Sequence, residues 1–278
     1  MIRASLAHRI TTHRPFFDVV EFNDKSQDLA KKAKNKKTDY NGSLEDALRL
    51  VDTPGLKTIA LSVVKLFEKK QLVLTDPLPE GAKSYLQELY LEKNHNFHDL
   101  SVSDYDIGLR KGNYAEEAAI DFLSVHLNQS LNKNVNRVET PLISGTADII
   151  NGKIVRDIKC PITWKTFRKK TDIETAYYWQ LIAYCYLYNC DQAFLDYILM
   201  PMPEGLIDDA IKSLSSSETQ KFLETNEAIK NMPAEMRIKT YQLEGNIPKD
   251  IAFLESRLEK SKLYYDSLTY EKCMNLIT

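Results

Sequence analysis

Two aspartates and a lysine stand close together in this sequence: Asp148, then Asp157-Ile158-Lys159, with Asn151-Gly152 between them. Asn-Gly between two apolar runs, here GTADII and KIVRDIK, is a strong hairpin signal, because a type I′ turn needs positive φ at both central residues. With Asn151 and Gly152 as the turn, Ile150 opposes Lys153 and Asp148 opposes Val155. Side chains alternate along a strand, so Asp157 and Lys159 share a face with Val155. Asp148 and Asp157 are then expected as diagonal neighbours, roughly 7–8 Å apart at the backbone. Both carboxylates can converge on one cation. Two carboxylates and a lysine turned inward are costly unless something pairs them. A hard divalent cation does so. Mg²⁺ is typically held by one or two carboxylates plus phosphate oxygens, and such a cation activates a water and neutralises charge building on a phosphate. The lysine then positions the nucleophile or stabilises the developing charge. A salt-bridged pair on a solvent-facing sheet is the other reading of these residues taken alone.

The elements around this group follow from periodicity. Residues 55–70, 80–93 and about 114–130 carry apolar residues at helical spacing, the last with Ala119, Leu123 and Leu127 on one side. Residues 136–143, 145–150 and 153–159 read as strands. Thr171-Asp-Ile-Glu174 has the capping-box pattern and predicts a helix running to about Tyr188, in which Gln180 and Tyr184 share a face at i, i+4. Residues 193–200, AFLDYILM, have the length of a buried strand, closed by Pro201 and Pro203. Beyond them the chain reads as helical, with 249–270 near heptad spacing and SLSSSE at 213–218 as a loop. The lysine-rich run at 27–37 reads as a solvated helix face or loop, or as a phosphate contact.

With 278 residues, of which 43% are hydrophobic and 27% charged, the chain has an ordinary globular balance. Disorder and low-complexity arrays are excluded on that ground. At about 150 residues per domain, one large domain over 1–278 is expected. Its parts are a mainly helical 1–110, a core over 111–204 and a helical extension over 205–278. Lys+Arg number 37 and Asp+Glu 39, a net charge of −2, so any nucleic-acid surface is local. No apolar run approaches the ~18 residues of a membrane span, and the polar N-terminus lacks a signal-peptide core. Cys160, Cys185, Cys190 and Cys273 form no CxxC pair and read as buried thiols in a reducing compartment. His95 and His98, in a polar stretch, read as loop rather than metal site.

Asp148 followed by Asp157-Ile158-Lys159 resembles the D…(D/E)xK signature of the PD-(D/E)XK nuclease superfamily, and Gln180 with Tyr184 matches the QxxxY element of its RecB-like branch. The stretch Asp157-Ile158-Lys159-Cys160-Pro161 is similar to that of the phage lambda exonuclease and YqaJ-type viral recombinase branch. So is KGNYAEEAAIDFL at 111–123, whose spacing from Gly112 selects Glu116, with Glu117 as fallback. Ile2-Arg3-Ala4-Ser5 resembles that branch's x-x-Ala-Ser segment, and Thr146 stands where a serine is usual. The likeness covers 112–204 well, 2–6 and 83–111 loosely, and about the last seventy residues not at all. Asp157 stands where Glu is frequent, and no arm precedes residue 2.

The resemblance implies an α/β restriction-endonuclease-like core, a central mixed sheet flanked by helices. It implies Mg²⁺-dependent hydrolysis, with Mn²⁺ as a substitute, of one strand of linear duplex DNA from 5′ to 3′. Asp148, Asp157 and the Ile158 carbonyl become metal ligands, and Glu116 holds a second metal or its water. Lys159 orients the attacking water, and Gln180 holds Lys159 or the phosphate. Arg3, Ser5 and Thr146 receive the terminal phosphate. Tyr184, Lys165, Arg168, Lys169 and Lys170 are expected against DNA. Partners implied are double-stranded DNA ends, a single-strand annealing protein and further copies of the chain in a ring, in the cytoplasm of a bacterial host. An endonuclease of the same fold, and a non-catalytic DNA-binding protein with a decayed core, are the rival readings. An iron–sulfur variant needs a cysteine upstream of the core, and all four here lie at or after Cys160.

Overall fold

The computed structural model describes residues 1–11, 19–75, 78–97 and 106–275. His98 lies outside them. The chain divides into two compact units, one of residues Thr12–Glu80 and one of Met1–Thr11 with Gly81–Thr278. The smaller unit falls inside the part expected as N-terminal and helical. The larger one opens with strand β1 (Ile2–Arg3), a 3-10 turn over Ala4–Leu6 and helix α1 (Ala7–Thr11).

The smaller unit holds α2 (Val19–Asn35), α3 (Leu44–Leu50) and α4 (Lys57–Thr75). Leu29 and Ala33 of α2 pack with Ala47, Leu50, Leu56, Ala60 and Val63 in one apolar core. The lysine-rich run therefore forms the solvated side of α2, where Lys31, Lys32 and Lys34 are exposed.

The larger unit continues with α5 (Glu80–His95), all but its first residue, and α6 (Ile107–Leu127). Asp106 caps α6 by accepting from the Gly108 N–H, and Asn128 ends it in the left-handed region. Strands β2 (Val138–Glu139), β3 (Ile143–Gly145), β4 (Ile149–Asn151) and β5 (Ile154–Lys159) follow. The run 136–143, expected as one strand, turns back on itself. Pro141 has no N–H to give a ladder, and the Thr140 N–H donates to the Ile143 carbonyl instead. The next expected strand, 145–150, is broken at Thr146–Asp148, where the chain passes from one sheet to the other.

Helices α7 (Trp164–Arg168) and α8 (Thr175–Tyr188) lead to β6 (Gln192–Ile198). The expected capping box at Thr171 does not form. Glu174 is the N-cap of α8, without a side-chain cap bond, and its carboxylate pairs with Lys170 instead. Then come α9 (Glu204–Ile211), α10 (Ser216–Lys230), β7 (Ile238–Gln242), α11 (Ile247–Asp266) and α12 (Tyr270–Cys273). Two departures lie here. SLSSSE is mostly a helix start, since Ser215 and Glu218 form a reciprocal capping box. And β7 is a strand where only helix was expected.

The first sheet has order β1-β3-β2, with β1 parallel and β2 antiparallel to β3; the second has order β4-β5-β6-β7, with only β5 and β6 parallel. Ala115, Ala119, Ile120 and Leu123 of α6 bury one face of the second sheet against Ile149, Ile158 and Ile198. α8 packs on β5 and β6 and buries every residue from Trp179 to Cys185, as expected of a helix apolar on all sides. The result is the mixed α/β architecture the sequence implies.

Candidate active site

The hairpin forms, but its turn lies one residue later than expected, which shifts the cross-strand pairing by two residues. Asn151 pairs with Ile154, Ile150 with Val155 and Ile149 with Arg156. The two turn residues are therefore Gly152 and Lys153. Gly152 has φ +60° while Lys153 is not positive, the pattern of a type II′ turn, which needs glycine only at its first central position. One step beyond the last pair, Asp148 stands directly across from Asp157 rather than diagonal to it. Its carboxylate Oδ2 accepts the Ile158 N–H at 2.6 Å, continuing the ladder after the backbone of β4 has left it.

Asp157, on β5, is 1% exposed. Its Oδ1 accepts from Gln180 Nε2 at 3.2 Å. Its Oδ2 pairs with the Lys159 ammonium at 2.5 Å. Gln180 Nε2 also donates to the Tyr184 hydroxyl at 3.0 Å. Gln180 thus holds Asp157, where the resemblance implied Lys159 or the phosphate, and Tyr184 stands behind Gln180, 5% exposed.

Electrostatics follow from crowding like charges in a buried place. Burial, and then the Asp157 carboxylate, push Asp148 well above the usual carboxylate range, against the pull of Lys159. Burial lowers the Lys159 amine, but Asp157 and Asp148 outweigh it and hold the amine above its ordinary value. The two carboxylates thus favour the charged form of Lys159. Burial and Asp157 likewise raise the Tyr184 phenol. The Cys160 thiol is pushed up to about 12 by burial, and all four cysteines are free thiols.

Adjacent helix residues point about 100° apart, and the two glutamates of α6 separate accordingly. The Glu116 side chain is 24% exposed and 3.1 Å from Lys133 Nζ; that of Glu117 is 79% exposed and 3.9 Å away. A cavity of about 530 Å³ gathers Ser5, Glu116, Asp148, Asp157, Ile158, Lys159, Lys170 and Gln180. Arg3 and Thr146 are exposed outside its lining, as are Lys165, Arg168 and Lys169. Ser5 reaches the cavity because β1 runs parallel to β3, with Ile2 beside Ile143. That approach depends on Gly145: a Cβ there would lie 2.6 Å from Ala4 Cβ and 3.0 Å from the Tyr184 ring.

Several lining residues had no place in the sequence reading: His8, Asn113, Thr166 and Tyr177. The Tyr177 ring sits 5.1 Å from Lys159 Nζ. His8 follows Ser5 at i+3, and burial holds its imidazole below its ordinary value. Lys111 was also missed. It is 1% exposed and donates to the carbonyls of Pro161 and Ile162 at 2.9 and 3.2 Å. Burial lowers its amine to about 8. Its signal was its position four residues before Ala115, on the apolar side of α6. Among the described residues no three His, Cys, Asp or Glu side chains converge as a complete ligand set.

No family model and no curated protein matches the chain. Among solved structures, a phage-related exonuclease from Haemophilus somnus 129PT superposes with a TM-score of 0.58 at 24% identity, over 82% of this chain and 95% of that one. An alkaline exonuclease from Laribacter hongkongensis gives 0.48 at 13% identity, over 73% and 86%. Its complex with dAMP gives 0.46 at 13% identity, over 74% and 90%. The first likeness shows a shared fold.

Proposed function

We propose that this protein is a Mg²⁺-dependent DNA exonuclease that hydrolyses phosphodiester bonds of linear duplex DNA from 5′ to 3′, in phage-type recombination beside a single-strand annealing protein. The observation that carries the reading is the juxtaposition of Asp148 and Asp157 across the hairpin, with Lys159 2.5 Å from Asp157, in a cavity shared with Glu116. The fold shared with a phage-related exonuclease supports it.

The donor set suits a hard divalent cation. Asp148 is held above the usual carboxylate range because burial and Asp157 oppose its charge, and Asp157, also buried, faces the Lys159 ammonium and the Gln180 amide. Two carboxylates that leave further positions to water, a backbone carbonyl and phosphate oxygens are the common protein share of a Mg²⁺ site. Asp148, Asp157 and the Ile158 carbonyl would hold the ion, and Glu116 a second ion or its water. When bound, it supplies Lewis acidity to the phosphate and to a water. Lys159, its charged form favoured, acts as a donor that orients the attacking oxygen or meets charge growing on the phosphate. Gln180 fixes the Asp157 carboxylate and so positions it.

The test is digestion of linear and closed circular duplex DNA, each with and without Mg²⁺. Loss of linear DNA alone, and only with Mg²⁺, is expected. Equal cutting of circles would make the protein an endonuclease. Binding without any cleavage would leave a DNA-binding protein with a decayed core. End-labelled substrate gives the polarity.

A further inference from the structure

A second cavity, of about 350 Å³, borders the first. The wall between them is the segment that follows Lys159. Cys160 and Pro161 line the catalytic cavity, the next four residues line the second, and Thr166 and Lys170 face the first again. The buried Lys111 amine fixes this wall through its bonds to the Pro161 and Ile162 carbonyls. Lys111 lines the second cavity, whereas Gly108 and Gly112 on the same helix line the first.

The chemistry of the second cavity is uneven. Its rim exposes large apolar groups, Trp164 at 43% and Ile162 at 37%, and Phe222 lies on the lining. Beside the buried Lys111, two further ammonium groups accompany them, Lys165 and Lys221, the first 5.8 Å from the Trp164 ring centre. The one carboxylate on the lining, Glu218, is already engaged by Ser215 in the capping box of α10. Cations with no free carboxylate attract an anion, and the aromatic faces beside them add a stacking surface. They match a ligand with a flat π face and phosphates beside it.

We propose that this cavity takes an unpaired nucleobase of the DNA strand whose phosphate occupies the catalytic cavity, with the base stacked on Trp164 and its flanking phosphates met by Lys165 and Lys221. The inference rests on the nuclease reading. The volume lies in the range of small-ligand sites. Stacking tolerates any base, since each has a π face, which suits an enzyme that must accept every sequence it meets.

Fluorescence isolates the site, because the chain has two tryptophans and the other, Trp179, is 2% exposed. The full chain, in EDTA to prevent cleavage, is titrated with oligothymidylate of about 12 nucleotides, within the ~4–16 of single-strand sites. Binding is followed in parallel by the anisotropy of labelled oligonucleotide. Saturable quenching of the exposed indole is expected. Trp164→Phe keeps the affinity and loses the quenching; Trp164→Ala lowers affinity about tenfold, with Trp179 emission reporting an intact fold. Binding with unchanged emission, or Trp164→Ala binding as tightly as the parent, overturns the assignment. If linear duplex is still degraded with Mg²⁺ in that case, only the base site fails. If the oligonucleotide does not bind and no DNA is degraded, the nuclease reading falls with it.

Discussion

At the scale of single residues, the carboxylates of the cavity are set for a job other than holding the fold. Asp148 is the clearest case. Burial raises its pKa in the folded protein, whereas the unfolded chain keeps about 3.9. A raised folded pKa favours folding at low pH, and that advantage is lost as pH rises from about 4 through the raised value. Metal-free protein should therefore melt at lower temperature at pH 8 than at pH 5. Asp148→Asn should flatten that dependence, because an amide oxygen can still accept the Ile158 N–H. In EDTA at pH 8 the variant is expected to melt about 2–4 °C higher, the equivalent of ~1 kcal/mol, and to lose the stabilisation that Mg²⁺ gives the parent. A scanning melt at both pH values checks this; a variant less stable than the parent in EDTA would show that Asp148 has a packing role. In the same assays Asp148→Asn, Asp157→Asn and Lys159→Ala should each lower Mg²⁺-dependent cleavage by ~10²-fold or more. Glu116→Gln should impair cleavage and Glu117→Gln should not, given exposures of 24% and 79%. Inactivity of the Glu117 variant alone would reverse that choice.

At the scale of elements, what could be read in the sequence was what carries a strong local signal. Strands β5 and β6 and the body of α8 lie where their apolar runs placed them, and α6 was found by its period although it starts at Ile107 rather than about 114. The register of the hairpin was not legible, because Asn-Gly and Gly-Lys are both acceptable two-residue turns. The choice fell to pairing, and it moved Asp148 from a diagonal to a direct neighbour of Asp157. Strand β7 was missed because it is half polar and lies at a sheet edge, where Lys239 bonds the carbonyls of Phe167, Arg168 and Lys170. Strand β1 was missed because two residues give no period; only its pairing with β3 makes it a strand. This short strand brings Ser5 to the cavity, while Arg3 and Thr146 stay outside its lining. The close approach at Gly145 makes the placement testable. Gly145→Ala forces Ala4 away, at a cost of roughly 1–3 kcal/mol, and should move Ser5 with it. The parent should degrade 5′-phosphorylated linear DNA faster than the same DNA with a 5′-hydroxyl. In Gly145→Ala that ratio should fall toward one while Mg²⁺-dependent cleavage persists. An unchanged ratio would take Ser5 out of the end pocket.

For the whole molecule, the constraint is charge. A net charge of −2 cannot draw DNA to the surface at large, so attraction has to come from a local field. No helix among the described residues is long and apolar enough to cross a membrane, which leaves lipid spans out of account for the helices described. On α7 and just after it, Lys165, Arg168 and Lys169 are all exposed, and Lys165 lines the second cavity. Exposed cations not committed to carboxylates are the ones that can release counterions from DNA. Each phosphate so neutralised contributes about 0.9 to the slope of log affinity against log salt. Replacing Lys165, Arg168 and Lys169 together by Ala should then weaken binding to duplex DNA and flatten that slope by up to about 3. It should leave the turnover of saturated substrate much less affected, since none of the three lines the catalytic cavity. Binding titrations from about 50 to 200 mM salt, with the metal omitted, measure both quantities. A slope equal to the parent's would mean that the DNA runs over another face, and that the cations of α7 are merely solvated.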